Sequence, residues 1–534
     1  MIRAGWRRTA CTVALAASAA GCGSLDVPNL NAPDRERALA SGNDVVNLVG
    51  GAFYNWYFSM QYYSAGHPTA TMADHFTSSW GNWGMRNYSS EPRIAFVNSS
   101  TDSNREVVEF PWYQNYAALV SSNLALLALE AGVEIGDNGA DNTMVELAAK
   151  FMQGATLSNI SLFFDQGYAI DEATDPDAIA LVNRSEVQAK ALEKLDEVIA
   201  GAAGASFQLP TSFLNFPGWT NTQMVKVANT LAARTIAYYP RNAAENTAAN
   251  WAKVVAYARE GVSKAPGFDP SIEGNANNWW DPYKDVTNEY ITWTRVDMRV
   301  VCLMDPTQPC RFPASGTIPP APGGPDSRMT GAGVLEPDFT YDPAIPFNPA
   351  RGIYHFSAVG HVRYFFHSIA APTADQGVVP FILQAENDLL LAEGLIRSGG
   401  SKAEAAALIN KTRVGRGKLP ALTGNESNQV MLDAIFYERD VELMASAAVV
   451  PFYDMRRTDR LQPGTPRHFP VPARELEVIG ADIYTFGGSG ADMAPGFAGV
   501  PVAGGQVIKP GRINAISDRY RLEKLSRREL RPQQ

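Results

Sequence analysis

The stretch AENDLLLAEGLIRSGGSKAEAAALINKTRVGRGKLPAL, residues 385–422, decides the fold. Ala385, Leu389, Ala392 and Ile396 recur at helical spacing, which puts them on one face of an amphipathic helix. Gly399-Gly400 stops that helix, because glycine reaches the left-handed conformation that many helix ends adopt. Ser401, with Glu404 three positions on, has the form of a capping box, so a second helix starts at once. Two helices on so short a link make a hairpin, and hairpins of this kind bury their apolar stripes by stacking. A third helix is expected over about residues 427–448.

The same pattern extends towards the N-terminus. Val145, Ala148, Ala149 and Met152 fall on one helical face, as do Met224, Val227, Ala228 and Leu231, and Trp251, Val254, Val255 and Ala258. Val187, Ala191, Leu195 and Val198 make a further stripe, with Glu186, Lys190, Glu193, Lys194 and Glu197 on the wet side. Earlier still, Asn43 or Asp44 is placed to cap a helix whose apolar face holds Val45, Leu48, Val49 and Ala52. The tetratricopeptide consensus is not found at a fixed period, so the repeat rests on periodicity. Residues 265–380 change character. They hold 16 of the 35 prolines, which excludes long helices. Short strands are expected at residues 290–295 and 362–367.

The chain is therefore expected to be mainly α, with stacked, tetratricopeptide-like helical hairpins and an inserted loop-rich lobe carrying short strands. Its expected divisions are a signal peptide at 1–21, an N-terminal helical part at 22–264, the lobe at 265–380, and a C-terminal helical part with an irregular tail at 381–534. The tail is Gly-rich from Tyr484 and ends in a basic segment, Arg519 to Arg531.

Three blocks of the C-terminal third resemble the SusD/RagB family. The first is carried by Glu386, Leu390, Glu393, Asn410 and Arg413. The second, IFYERDVELMASAAVVPFYDMRRTDRL, is carried by Glu438, Arg439, Glu442, Leu443, Tyr453, Asp454, Arg456 and Arg457. The third, RHFPVPARELEV, is carried by Pro470, Pro472, Glu475 and Leu476. The chain departs from the family at Ser446-Ala447-Ala448, where Glu-Gly is usual, and lacks an Asn after the last block. It thus resembles a divergent branch, whose ligand is not to be borrowed from starch-binding members. The resemblance implies a SusD-type helical fold and an outer-membrane, surface-exposed lipoprotein. Such a protein captures a nutrient and delivers it to a SusC-like TonB-dependent transporter, closing over the ligand like a lid. Of the second block, Glu438, Arg439, Glu442, Asp454, Arg456 and Arg457 are read as ion pairs holding helices together, not as ligand contacts.

The first 22 residues have their own logic. Arg3, Arg7 and Arg8 form a basic start, residues 13–20 are apolar and small, and Ala19-Ala20-Gly21-Cys22 resembles a bacterial lipobox. Cys22 is the expected lipidation site, with acyl chains as the only membrane attachment. Cleavage there removes three arginines and no acid, moving the formal net charge from −10 to −13. Cys11 leaves with the signal, so Cys302 and Cys310 remain and are expected to form a disulfide.

An acidic chain without basic runs argues against nucleic acid as a partner. His67, His75, His355, His361, His367 and His468 include no His-Glu-x-x-His, and packing or surface roles suit them better than metal ligation. No P-loop, dinucleotide fingerprint or nucleophile elbow is present. No catalytic residue, metal or cofactor is assigned. The functional lead is aromatic. Trp80 and Trp83 flank Asn82 in TSSWGNWGMRNYSS, and Trp279-Trp280-Asp281-Pro282-Tyr283 follows GNANN, with Trp293 nearby. Indole faces stack on sugar rings while Asn and Asp take hydroxyls. Trp80, Asn82, Trp83, Trp279, Trp280, Asp281 and Tyr283 are the expected ligand contacts; the competing reading buries the rings under loops. Three functions compete: binding and delivery of an oligosaccharide or similar nutrient, a secreted helical hydrolase such as a glycosidase, and a structural scaffold.

Overall fold

The computed structural model describes residues 41–274, 279–288, 293–330, 338–344, 347–367, 371 and 376–488. The signal peptide, Cys22, the end of GNANN, residues 290–292 of the first expected strand and the basic segment Arg519 to Arg531 lie outside the described residues.

The first helix, α1 (Gly42–Gln61), is capped by Ser41, whose Oγ accepts the Asp44 N–H at 3.4 Å, and not by Asn43 or Asp44. It is followed by α2 (Tyr63–Met72), α3 (Glu106–Glu130), α4 (Asn142–Phe163), α5 (Arg184–Ala203), α6 (Asn221–Ala237) and α7 (Trp251–Arg259). α1 packs on α3, and from α3 to α7 each helix packs on the next, which makes a stack of helical hairpins. The apolar stripes face inwards: Val145, Ala148, Ala149 and Met152 are buried, as are Val187, Ala191, Leu195 and Val198. Close approach is decided by small residues. A Cβ on Gly154 would stand 2.7 Å from the Cγ of Leu195, so α4 meets α5 at a glycine.

The second half contains α8 (Pro282–Asn288), α9 (Met298–Met304), α10 (Gln384–Ser398), α11 (Lys402–Arg413), α12 (Asn428–Val441), α13 (Val450–Arg457) and α14 (Ala473–Ile479). The protein is mainly α, and α10 packs on α7, α11 and α12. Gly399 ends α10 at φ 76°, ψ 24°. Only half of the expected capping box forms. Ser401 Oγ accepts from the Glu404 N–H at 3.2 Å, while the Glu404 carboxylate pairs with Arg259 of α7. The third helix is shorter than its sequence suggests, ending at Val441 instead of 448. Beyond it Ala445 and Val449 take positive φ of 58° and 69°, and Pro451 lacks the N–H that a continuous helix would use.

Four two-stranded antiparallel pairs occur among the described residues: β1 (Phe76–Thr77) with β5 (Arg295–Val296), β2 (Gln166–Gly167) with β3 (Val182–Asn183), β4 (Ser271–Gly274) with β8 (Gly377–Pro380), and β6 (Phe339–Tyr341) with β7 (Val359–His361). The strand expected at 362–367 lies three residues earlier. Phe365–His367 is instead a 3-10 turn, because Asn288 Oδ1 accepts the Tyr364 N–H at 2.9 Å and draws the chain out of the ladder. Cys302 and Cys310 are disulfide-bonded within the lobe.

The paired charges of the family blocks hold helices together. Glu393 meets Arg439 and Arg457 at 2.5 and 2.7 Å, and Arg457 also meets Asp454 at 2.6 Å. Arg328 binds Asp326, Glu438 and Glu442 at 2.7, 2.8 and 3.1 Å. Among the described residues Arg456 meets no carboxylate; it donates to the carbonyl of Tyr238, the C-cap of α6, at 2.9 Å, where the helix dipole favours a cation.

Candidate ligand-binding site

The turn after β1 places its tryptophans through an unusual backbone. Trp83 (φ 51°, ψ 22°) and Gly84 (φ 76°) are both left-handed, which glycine takes freely and tryptophan does not. The reversal lays the Trp83 indole flat on Tyr63, the first residue of α2, with centroids 4.1 Å apart and planes within 6°. Strain of about 1–3 kcal/mol at such a residue is held by its surroundings, here a ring stack of about 0.5–1.5 kcal/mol and the apolar contact around it.

The second loop arrives on the same rings. Trp293 lies 5.5 Å from Trp83 and 5.6 Å from Trp80, and its carbonyl accepts from Ser78 Oγ at 2.7 Å. Trp280 meets Tyr63 edge-on at 5.3 Å. Tyr63, Trp80, Trp83, Trp280 and Trp293 are each half-buried, and Asn82 is exposed. Segments about 200 residues apart in sequence thus form one partly exposed aromatic surface on the start of α2, which is how a scaffold assembles a site from loops.

Three of the expected contacts belong beneath that surface, not on it. Trp279 is 2% exposed and packs against Tyr54 and Tyr57 at 5.2 and 5.5 Å. Asp281 is fully buried, pairs with Lys284 at 2.8 Å and accepts from the Tyr57 hydroxyl at 2.7 Å. Burial pushes its pKa up, but Lys284 and His367 overcome this and leave it below the usual carboxylate value. Tyr283 is fully buried under His67, 5.4 Å away. The reason is local: Pro282 opens α8, whose residues are all buried, and the run enters the core with it, leaving Trp280 alone of the five half-exposed.

The floor beneath the rings keeps unused hydrogen-bonding capacity. His67 Nδ1 lies 3.2 Å from the Tyr63 carbonyl, so it carries the proton, and burial lowers the pKa to about 3, which keeps the ring neutral. Among the described residues its Nε2 is then a bare acceptor without a partner, and Trp280 Nε1 and the Tyr283 hydroxyl are also unpartnered. Such groups are costly when left unsatisfied and suit water or ligand hydroxyls. Three other histidines are held by buried partners: His75 meets the Asp440 carbonyl at 2.7 Å, His361 meets Asn288 at 2.8 Å, and His367 Nε2 accepts the Asp281 backbone N–H at 3.0 Å.

Sequence reasoning missed Tyr63 and Arg351, whose guanidinium lies 5.3 Å over the Trp80 ring. Tyr63 sits in a helical stretch that reads as core, and Arg351 is distant in the proline-rich lobe. Among the described residues no group of three or more His, Cys, Asp or Glu is placed to hold a metal ion, and no helix is long and apolar enough to cross a membrane.

Residues 323–470 match the SusD family. No curated protein matches the chain by sequence. Among solved structures, the chain is similar to a SusD superfamily protein from Parabacteroides distasonis, at 13% identity and TM-score 0.58, over 82% of this chain and 97% of that one. It is also similar to a SusD homolog from Bacteroides thetaiotaomicron, at 16% and 0.56, over 82% and 96%. A third is surface glycan-binding protein A from Bacteroides uniformis, at 15% and 0.51, over 83% and 99%. These likenesses concern the fold. Over residues 323–470 the chain matches the SusD family in sequence, and the buried ion pairs of Glu393 with Arg439 and Arg457 fall within that matched stretch, inside a fold shared with SusD superfamily structures.

Proposed function

We propose that this protein is a cell-surface lipoprotein, anchored in the outer membrane through Cys22, that captures an oligosaccharide or similar nutrient without altering it. It then delivers the ligand to a SusC-like TonB-dependent transporter. One observation carries the reading: Tyr63, Trp80, Trp83, Trp280 and Trp293 present partly exposed rings on one surface, with exposed Asn82 beside them. Aromatic faces beside neutral polar groups suit sugar rings, which offer C–H faces and hydroxyl edges together. The similarity to a surface glycan-binding protein supports the same ligand class.

Binding to a glycan panel should be lost in Trp80→Ala and Trp83→Ala proteins that keep their melting temperature. Native purification from detergent-solubilised outer membrane should bring down a large β-barrel. Unchanged glycan binding in both variants places the site elsewhere, and a protein that always runs alone refutes the delivery step.

A further inference from the structure

We infer that the ligand carries negative charge: it is an acidic saccharide, with a carboxylate or sulfate group on a sugar ring, read by Arg86 and Arg351. This inference rests on the glycan-binding reading above and adds the chemical class of the glycan.

Both arginines lie against the Ser79–Gly81 backbone that carries Trp80. Arg351 Nη1 donates to the Ser79 carbonyl at 3.3 Å, and its guanidinium covers the Trp80 ring. The Arg86 backbone N–H donates to the Trp80 carbonyl at 3.1 Å, and its Nη2 passes 3.5 Å from where a Cβ on Gly81 would stand. Each side chain is half-buried. Among the described residues neither is in an ion pair, whereas most described arginines of this acidic chain meet a carboxylate. Arg241, Arg413 and Arg456 also lack one but donate to main-chain carbonyls, and Arg460 lies 3.8 Å over the Phe436 ring, away from the tryptophan surface. Among the described residues Arg86 donates no side-chain hydrogen bond, and Arg351 donates only the one to Ser79.

Two half-exposed guanidiniums with most of their donors unused, beside a stacking surface, match a ligand oxyanion. Arginine presents a planar fork that pairs with carboxylate and sulfate in two-point geometry. In a chain of net charge −10, such a spot also attracts anions to the one face where the rings can receive them. Stacking then orients the sugar while the arginines select its charge.

The test is calorimetric titration of the full mature chain with matched probes: oligogalacturonides against their methyl esters, and chondroitin sulfate oligosaccharides against their desulfated forms. We expect one acidic probe to bind at least about tenfold tighter than its neutralised counterpart, with affinity falling at high salt. Preference within the carboxylate pair or within the sulfate pair says which oxyanion is read. Arg86→Gln and Arg351→Gln should each erase most of that preference while leaving melting temperature unchanged. Equal affinity for acidic and neutralised probes, or a neutral glycan bound through Trp80 and Trp83 with both arginine variants unaffected, overturns the inference and leaves glycan binding standing. Absence of binding to every charged and neutral glycan overturns both.

Discussion

Glu393 of α10 and Arg457 of α13 meet as a two-point pair: Oε1 accepts from Nη1 at 2.8 Å and Oε2 from Nη2 at 2.7 Å, with both side chains wholly removed from solvent. Arg439 of α12 joins the same carboxylate, so one glutamate ties three helices of the C-terminal block. Burial alone would raise the Glu393 pKa; Arg457, Arg439 and Arg397 overcome it and hold the carboxyl well below its ordinary 4.5.

Removing that charge should be costly. Glu393→Gln leaves buried guanidiniums without their counter-charge, and such a loss is worth about 3–5 kcal/mol. A folded-state pKa below the unfolded value makes the contribution complete above about pH 4.5, and it is lost as pH falls through the folded value. Urea midpoints taken from pH 7 down to 3 should fall steeply for the wild type and more gently for Glu393→Gln. Identical slopes would contradict the assignment.

Trp279 and Trp80 should separate stability from binding. Trp279, enclosed by Tyr54 and Tyr57, should cost about 3–5 kcal/mol on truncation to alanine. Trp80→Ala should cost only about 1 kcal/mol in stability, with its main effect on glycan affinity, on the order of 1–3 kcal/mol. Paired thermal melts and titrations check both halves. A strongly destabilised Trp80→Ala would mark that ring as core.

Reducing the Cys302–Cys310 bond opens a loop of eight positions that starts from α9. On loop-closure entropy the bond should stabilise by roughly 2–3 kcal/mol. Unfolding in the presence and absence of reductant, with the Cys302→Ser, Cys310→Ser double variant as control, measures this. Quantitative thiol labelling of both cysteines in unreduced native protein would refute the bond.

Cys22 should carry the acyl chains. Mass spectrometry of the mature N-terminus should show a diacyl or triacyl adduct there, and Cys22→Ala should move the protein from the membrane to the soluble fraction. A mature chain starting at another residue without lipid excludes the anchor.

The helical stack was legible because helix faces are written at short range: the stripes of α4, α5 and α6 are buried as their spacing requires. Helix ends were less legible, since they depend on partners far away in sequence. The spare half of the expected capping box, Glu404, goes to Arg259, and the chain beyond Val441 bends where Glu442 is taken by Arg328, Arg363 and Arg416. The tryptophan loops were found from composition, but which indoles face outwards was not. Trp279 and Trp280 are adjacent and chemically identical, and only the placement of α8 buries the first and leaves the second half-exposed. Tyr63 and Arg351 gave no local signal at all, because their meeting with Trp83 and Trp80 is a property of the assembled stack.

The lobe interrupts the stack in sequence and not in space. α7 packs directly on α10 although residues 260–383 lie between them, and Arg234 of α6 and Asn387 of α10 reach across that gap to Glu386 and to the Thr230 hydroxyl. At equilibrium so long an excursion is cheap, since each doubling of a loop adds only about 0.6 kcal/mol of closure entropy. Its burden is kinetic. During synthesis α1 to α7 emerge first and can collapse on their neighbours, but their last apolar face stays uncovered until α10 arrives more than a hundred residues later. A nascent or truncated chain ending before α10 is therefore a sticky species, and the time between those two helices is when this protein is most exposed to aggregation and to proteases.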